Sequence, residues 1–113
     1  MKKDPKIFLL HIFESIKTIE GHAQKINKKT FSKNITVQDA VIRRIEVIGE
    51  AVKNLPSDYK KKHPEINWNE IVGMRNNLIH EYFGVNLFVV WQTINKDIPQ
   101  LKNQISKLLE EYK

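Results

Sequence analysis

Four side chains close together in the chain, Arg75, Asn76, His80 and Tyr82, carry the groups needed to cut a phosphodiester without a metal. Arginine is a cation at every physiological pH, and its planar fork matches two phosphate oxygens at once. Histidine titrates near neutrality, with an ordinary pKa of about 6.5, so His80 could take or donate a proton. Asn76 adds an amide and Tyr82 a phenol. Such a set suits cleavage in which a ribose 2′-hydroxyl attacks phosphorus while Arg75 stabilises the developing charge. A plainer use also exists. Near a helix end an arginine can lay its stem along apolar surface, and a histidine can sit as a cation at the C-terminus.

The four residues fall in one helical segment, predicted from a cap at Asn67, with Glu70 as its reciprocal partner, to about Phe83, where Gly84 closes it. At 3.6 residues per turn, Trp68, Ile71, Val72, Leu78, Ile79 and Tyr82 share one side, and Arg75 lies within that apolar stripe. An arginine there needs a carboxylate, a subunit interface or a bound phosphate opposite it. His80 lies ~140° round from Arg75, and Asn76 and His80 form an i, i+4 pair.

The remaining segments supply a scaffold. Asp4-Pro5 reads as a cap and first helical residue, followed by a stripe through Leu9, Ile12, Ile16, Ile19, Ala23 and Ile26. Asn27 to Asn34 is polar and lysine-rich and reads as a loop. Thr36 with Asp39 resembles a capping box for a second helix through Val41, Ile45, Ile48 and Val52, ended by Leu55-Pro56. Lys60 to Pro64 is a basic turn or short helical segment. Asn86 caps a helix carrying Leu87, Val90, Trp91 and Ile94, and Asp97-Ile98-Pro99 restarts or kinks it into a last helix with Leu101, Ile105, Leu108 and Leu109. No stretch alternates with period two. The fold class expected is all-α, an up-and-down bundle of four to five helices in one domain, 1–113.

Composition narrows the function classes. The chain has 113 residues, 41% hydrophobic and 28% charged, which suits a globular domain. The absence of cysteine removes disulfides, thiolate metal sites and a cysteine nucleophile. His11, His22 and His63 show no metal-ligand spacing, so neither metal nor cofactor is expected. No Gly-rich phosphate loop is present. No apolar run reaches the ~20 residues that span a bilayer, and Asp4, Pro5 and Lys6 interrupt any signal-peptide pattern, so a cytoplasmic location without membrane contact is expected. A net charge of +6 favours polyanionic partners. Lys25, Lys28, Lys29 and Lys33, and Lys60 to Lys62, could flank an RNA backbone or simply form solvated faces. Phe8, Phe13 and Phe31 read as packing residues, and Trp68 and Trp91 as core or interface.

Arg75-Asn76-Asn77-Leu78-Ile79-His80-Glu81-Tyr82 resembles the R-x4-H-x-Y motif of HepT toxins within the HEPN superfamily. The likeness extends over Val37 to Ile45, Ile48-Gly49-Glu50-Ala51, Trp68 with Ile71 to Met74, Phe83 to Asn86, Trp91 and Asp97 to Leu101. It implies a HEPN fold and an endoribonuclease toxin with Arg75 and His80 catalytic. It further implies a homodimer whose composite cleft cuts RNA, tRNA among the candidates. The resemblance also implies an MntA-like nucleotidyltransferase antitoxin that transfers AMP from ATP onto Tyr82. Asn76 could support the site, and Glu50 could pair with Arg75 in the free protein, within or across subunits, in which case it is the partner a purely structural arginine would need. The competing expectations are a non-catalytic nucleotide- or partner-binding subunit of a nucleotidyltransferase complex, and a purely structural dimer.

Overall fold

The alternating three- and four-residue steps of Leu9, Ile12, Ile16 and Ile19 lay one apolar stripe along α1 (Pro5–Ala23), and all four side chains are fully buried. Each contributes about 2 kcal/mol by leaving water. Asp4 accepts the Lys6 N–H at 3.0 Å, and Pro5 occupies the first turn, where its missing N–H costs nothing. The computed structural model describes residues 4–80 and 86–113, excluding the side chains of Ile79 and His80.

Two boundaries differ from those the sequence suggests. α1 stops at Ala23 rather than Ile26, and the expected loop contains a short helix, α2 (Lys28–Lys33). The reason is a reciprocal cap. Asn27 Oδ1 accepts the Thr30 N–H and Thr30 Oγ1 accepts the Asn27 N–H, both at 2.9 Å. Threonine replaces the usual Glu or Gln in that motif, which hid the signal among lysines. Phe31 then anchors α2: it is buried, and its ring lies 5.2 Å from that of Trp91.

α3 (Ile35–Asn54) is capped by Asn34, whose side chain accepts the Val37 N–H at 3.0 Å. Thr36 and Asp39, the expected capping pair, lie inside the helix. Asn34 already satisfies the orphan donor, so the helix starts earlier. Val41, Ile45, Ile48 and Val52 are buried as the spacing requires, and Leu55 forms the C-cap before Pro56. Gln38 satisfies its own burial by donating to the Phe31 carbonyl at 2.8 Å. The basic segment forms α4 (Ser57–Lys62), and Lys60 Nζ donates to the Val52 carbonyl near the end of α3 at 3.2 Å.

α5 (Trp68–His80) begins where Asn67 Oδ1 accepts the Glu70 N–H at 3.1 Å. Its expected end at Phe83 and the closing Gly84 lie outside the described residues. Asn86 caps α6 (Leu87–Gln92), as expected, by accepting the Phe88 and Val89 N–H groups. Of the two expectations at Asp97, restart or kink, the restart does not occur: a five-residue π turn, Thr93–Asp97, runs without a break into α7 (Ile98–Glu110). In the π turn the Ile98 N–H reaches back to the Thr93 carbonyl, and Pro99, which has no N–H to place, follows in the first turn of α7.

The four long elements (α1, α3, α5 and the α6–α7 path) make the all-α bundle anticipated, with α2 and α4 as short additions; no strand occurs among the described residues. α3 packs on both α1 and α5, and α1 also packs on α7. α5 packs most closely on α3, and its Ile71 and Met74 face Ile98 and Leu101 of α7 across a cavity. No helix among the described residues is long and apolar enough to cross a membrane.

Tyr59 in α4 carries a buried hydroxyl beside the Tyr112 phenol. Burial, with Tyr112 and Glu111 nearby, pushes its pKa well above the ordinary phenol range. Folding therefore opposes ionisation. Tyr59's contribution is intact below the unfolded phenol's pKa of about 10 and falls away as pH climbs above it. Tyr59→Phe removes the group whose ionisation folding opposes, and should lessen the alkaline decline. Urea unfolding of both proteins from about pH 8 to about pH 11 checks this, and parallel pH curves would contradict it.

Candidate functional site

The close approach of α5 to α3 is set at Gly49. A Cβ placed there would fall on Arg75 Cβ and within 2.6 Å of Arg75 Cγ, so the arginine stem occupies the space a side chain at 49 would fill. Glycine in a helix interior costs about 1 kcal/mol relative to alanine, and here the packing supplies the reason. The guanidinium emerges beyond Gly49. Nη2 pairs with Glu50 Oε2 at 2.5 Å, and Nη1 donates to Asn76 Oδ1 at 2.8 Å. Nε is buried and has no partner among the described residues.

Arg75 is thus only 18% exposed while Glu50 is 53% exposed. One end of the pair is held by the fold and the other is free to leave. The arginine expected on the apolar stripe does have its required partner, a carboxylate from α3, joined by the neighbouring amide. A carboxylate on a guanidinium fork occupies the positions that two phosphate oxygens would take. An incoming phosphate could replace Glu50 there, and the released carboxylate would remain in water.

His80 is the last residue of α5, five positions after Arg75 on the same helix, and its side chain is outside the described residues. Tyr82 lies outside them altogether. The structure therefore brings Arg75, Asn76 and Glu50 together and leaves His80 and Tyr82 assigned by the motif.

Arg75 and Glu50 open onto a cavity of about 430 Å³ between α1 and α3. Phe8 and His11 line it from α1, and Arg43, Val47 and Glu50 from α3. Among the described residues no group of three His, Asp or Glu side chains is gathered as a metal site would need. The lysine runs divide. Lys60 serves the end of α3, and Lys28 sits over the Phe88 ring, 4.3 Å from its centroid. Trp68 is core, its indole N–H donating to the His63 carbonyl at 3.0 Å, and Phe8 and Phe13 pack half-buried against the core.

Comparison with known proteins fits this geometry. The family model described as "Ribonuclease HepT-like" matches residues 12–108. A Methanocaldococcus jannaschii protein named "Gamma-glutamylcyclotransferase and putative RNase" is 50% identical over 111 residues, 98% of this chain but 50% of that protein, so the chain spans half its length. A Thermococcus cleftensis protein named "Probable ribonuclease HepT" is 47% identical, covering 96% of this chain and 98% of its own. A third, "Putative RNase" of Caldanaerobacter subterraneus subsp. tengcongensis, is 42% identical over 98% of this chain and 99% of its own. No solved structure matches. With an all-α fold and the whole R-x4-H-x-Y string in place, this chain belongs to the HepT-like family of ribonucleases.

Proposed function

We propose that this protein is a metal-independent endoribonuclease in which Arg75 holds the scissile phosphate and His80 moves the proton. The observation that carries the reading is the Arg75 fork, fixed by its stem over Gly49 and answered only by an exposed carboxylate and an amide among the described residues. In the reaction the ribose 2′-oxygen attacks phosphorus as its proton passes to an imidazole. A P–O2′ bond forms, the P–O5′ bond breaks, and the departing 5′-oxygen takes up a proton. The products are a 2′,3′-cyclic phosphate and a 5′-hydroxyl. Arg75 stabilises charge on the non-bridging oxygens, and Asn76 keeps the guanidinium in plane.

The protein acts as a homodimer in the cytoplasm, with α5 at the interface. Support comes from the R-x4-H-x-Y string, which begins at Arg75 on that helix, so two copies meeting there would bring two motifs together. Two copies of the motif would then share one composite cleft. As a toxin it is held in check by an MntA-like nucleotidyltransferase antitoxin that joins AMP from ATP to the Tyr82 phenol oxygen and releases pyrophosphate. An anionic nucleotide beside Arg75 would take the phosphate position and repel RNA. tRNA is the proposed target.

The test uses purified protein, RNA and excess EDTA. Cleavage continues, the fragments end in 2′,3′-cyclic phosphate, and a 2′-O-methyl group at the scissile ribose stops it. Incubation with the antitoxin and ATP adds mass in AMP steps on Tyr82 and abolishes cleavage. Loss of all activity in EDTA, or cleavage of the 2′-O-methylated site, would overturn the mechanism. Unmodified Tyr82 in the presence of an active antitoxin would overturn the regulation.

A further inference from the structure

The cavity beside Arg75 is built on one face of α3. Arg43, Val47, Glu50 and Asn54 follow at four-, three- and four-residue steps, and Phe8 and His11 face them from α1 three residues apart. Its floor is apolar, from Phe8, Val47 and buried Ala51. Its rim carries two guanidiniums, an imidazole and the carboxylates of Glu46 and Glu50. Each arginine is paired with a carboxylate: Arg43 with Glu46 at 3.5 Å, and Arg75 with Glu50. The Arg43 side chain is 70% exposed, so it can exchange its carboxylate for another anion with little lost packing.

From these features we infer that the groove holds the nucleotide next to the scissile phosphate of a single RNA strand. This rests on the ribonuclease reading above. A volume of about 430 Å³ lies in the range of small-ligand clefts and suits one nucleotide. The base lies on the Phe8 face and the apolar floor, the arrangement by which single strands are held without strict sequence preference. His11 meets the sugar or base edge. Positions 43 and 50 are seven residues apart, ~10.5 Å along α3, which places Arg43 to take the phosphate next to the one held beside Glu50. The paired carboxylates keep both cations oriented in the free protein and yield them to RNA.

Binding of a short RNA with 2′-O-methyl riboses throughout reads the groove independently of cleavage, by fluorescence anisotropy on the full-length protein. Arg43→Ala and His11→Ala should each weaken binding about five- to tenfold, and Arg43→Ala should reduce the slope of log Kd against log salt by about one. On cleavable RNA, KM should rise by a similar factor while kcat changes less than about threefold. Lys107→Ala, an equal loss of charge on exposed α7 surface, serves as control and should stay within twofold. Binding by Arg43→Ala and His11→Ala within twofold of wild type, while wild type cleaves RNA, would overturn the inference and leave the ribonuclease reading standing. A wild type that binds the oligonucleotide, weakened by both substitutions, yet cuts no RNA would support the groove and overturn the catalytic reading. A shift in the monomer–dimer equilibrium of the two variants, without a change in RNA affinity, would assign the groove to a second copy of the chain and overturn the inference.

Discussion

Arg75→Lys is expected to lower the rate of RNA cleavage by a factor of about a hundred or more while the protein stays folded. Lysine keeps the charge but loses the planar fork, and its ammonium cannot meet two phosphate oxygens in parallel. Removing a single preorganised donor to a transition-state oxyanion typically costs ~10² to 10³ in rate. The stability cost should be small, because the partner carboxylate on Glu50 is 53% exposed and stays hydrated when released. A change in melting temperature below about 3 °C, together with the large loss of rate, separates a chemical role from a structural one. The single-turnover rate at saturating RNA is the measurement, and a rate within tenfold of wild type would show that charge alone suffices.

The second large effect is expected at a residue with no functional group. Gly49→Ala adds one methyl group, which in an open helix interior would be worth about 1 kcal/mol of added stability. At position 49 the new carbon meets Cβ and Cγ of Arg75, which sit at the root of the side chain and cannot swing away. α5 must move off α3, and overpacking of that kind costs about 1 to 3 kcal/mol, more than the helix gains. The displacement also carries the Arg75 fork away from its position, and misplacement by about 1 Å can cost ~10² in rate. Gly49→Ala should therefore both melt several degrees lower and cleave RNA about a hundredfold more slowly. Gly21→Ala is the comparison. Gly21 is in α1 with nothing within 4 Å of an added Cβ, so this variant should gain up to about 1 kcal/mol and keep its activity. Equal melting temperatures and activities in the two variants would contradict the account.

Long apolar stripes were the most legible part of the sequence. Leu9 to Ile19 and Val41 to Val52 name the core of α1 and α3 because period alone decides which face is buried. Caps were legible where the motif has its usual residues, as at Asp4, Asn67 and Asn86. They were hidden where a substitute serves. Asn27 with Thr30 makes a helix out of an apparent lysine loop, and Asn34 takes the place given to Thr36 because several capping residues stand close together. The π turn at Thr93–Asp97 has no pattern of its own in the sequence, since it comes from packing and from the geometry around Pro99.

For the site, Arg75 declared itself as a charge among apolar neighbours, but which of a carboxylate, an interface or a phosphate answers it was not legible until α3 brought Glu50 to it. Gly49 left only an indirect trace, one glycine inside an otherwise amphipathic helix. Its meaning depends on how near α5 comes, which no local pattern encodes. The α1 wall of the groove was equally hidden. His11 and Phe8 look like ordinary surface and packing residues until α1 is laid beside α3.

The most direct test of the central claim compares wild type, Arg75→Ala and His80→Ala on one RNA substrate, with folding of each checked by circular dichroism. Wild type cuts the RNA, and each variant, still folded, loses at least about a hundredfold in rate. Folded variants that cut at the wild-type rate would mean that neither side chain performs the chemistry.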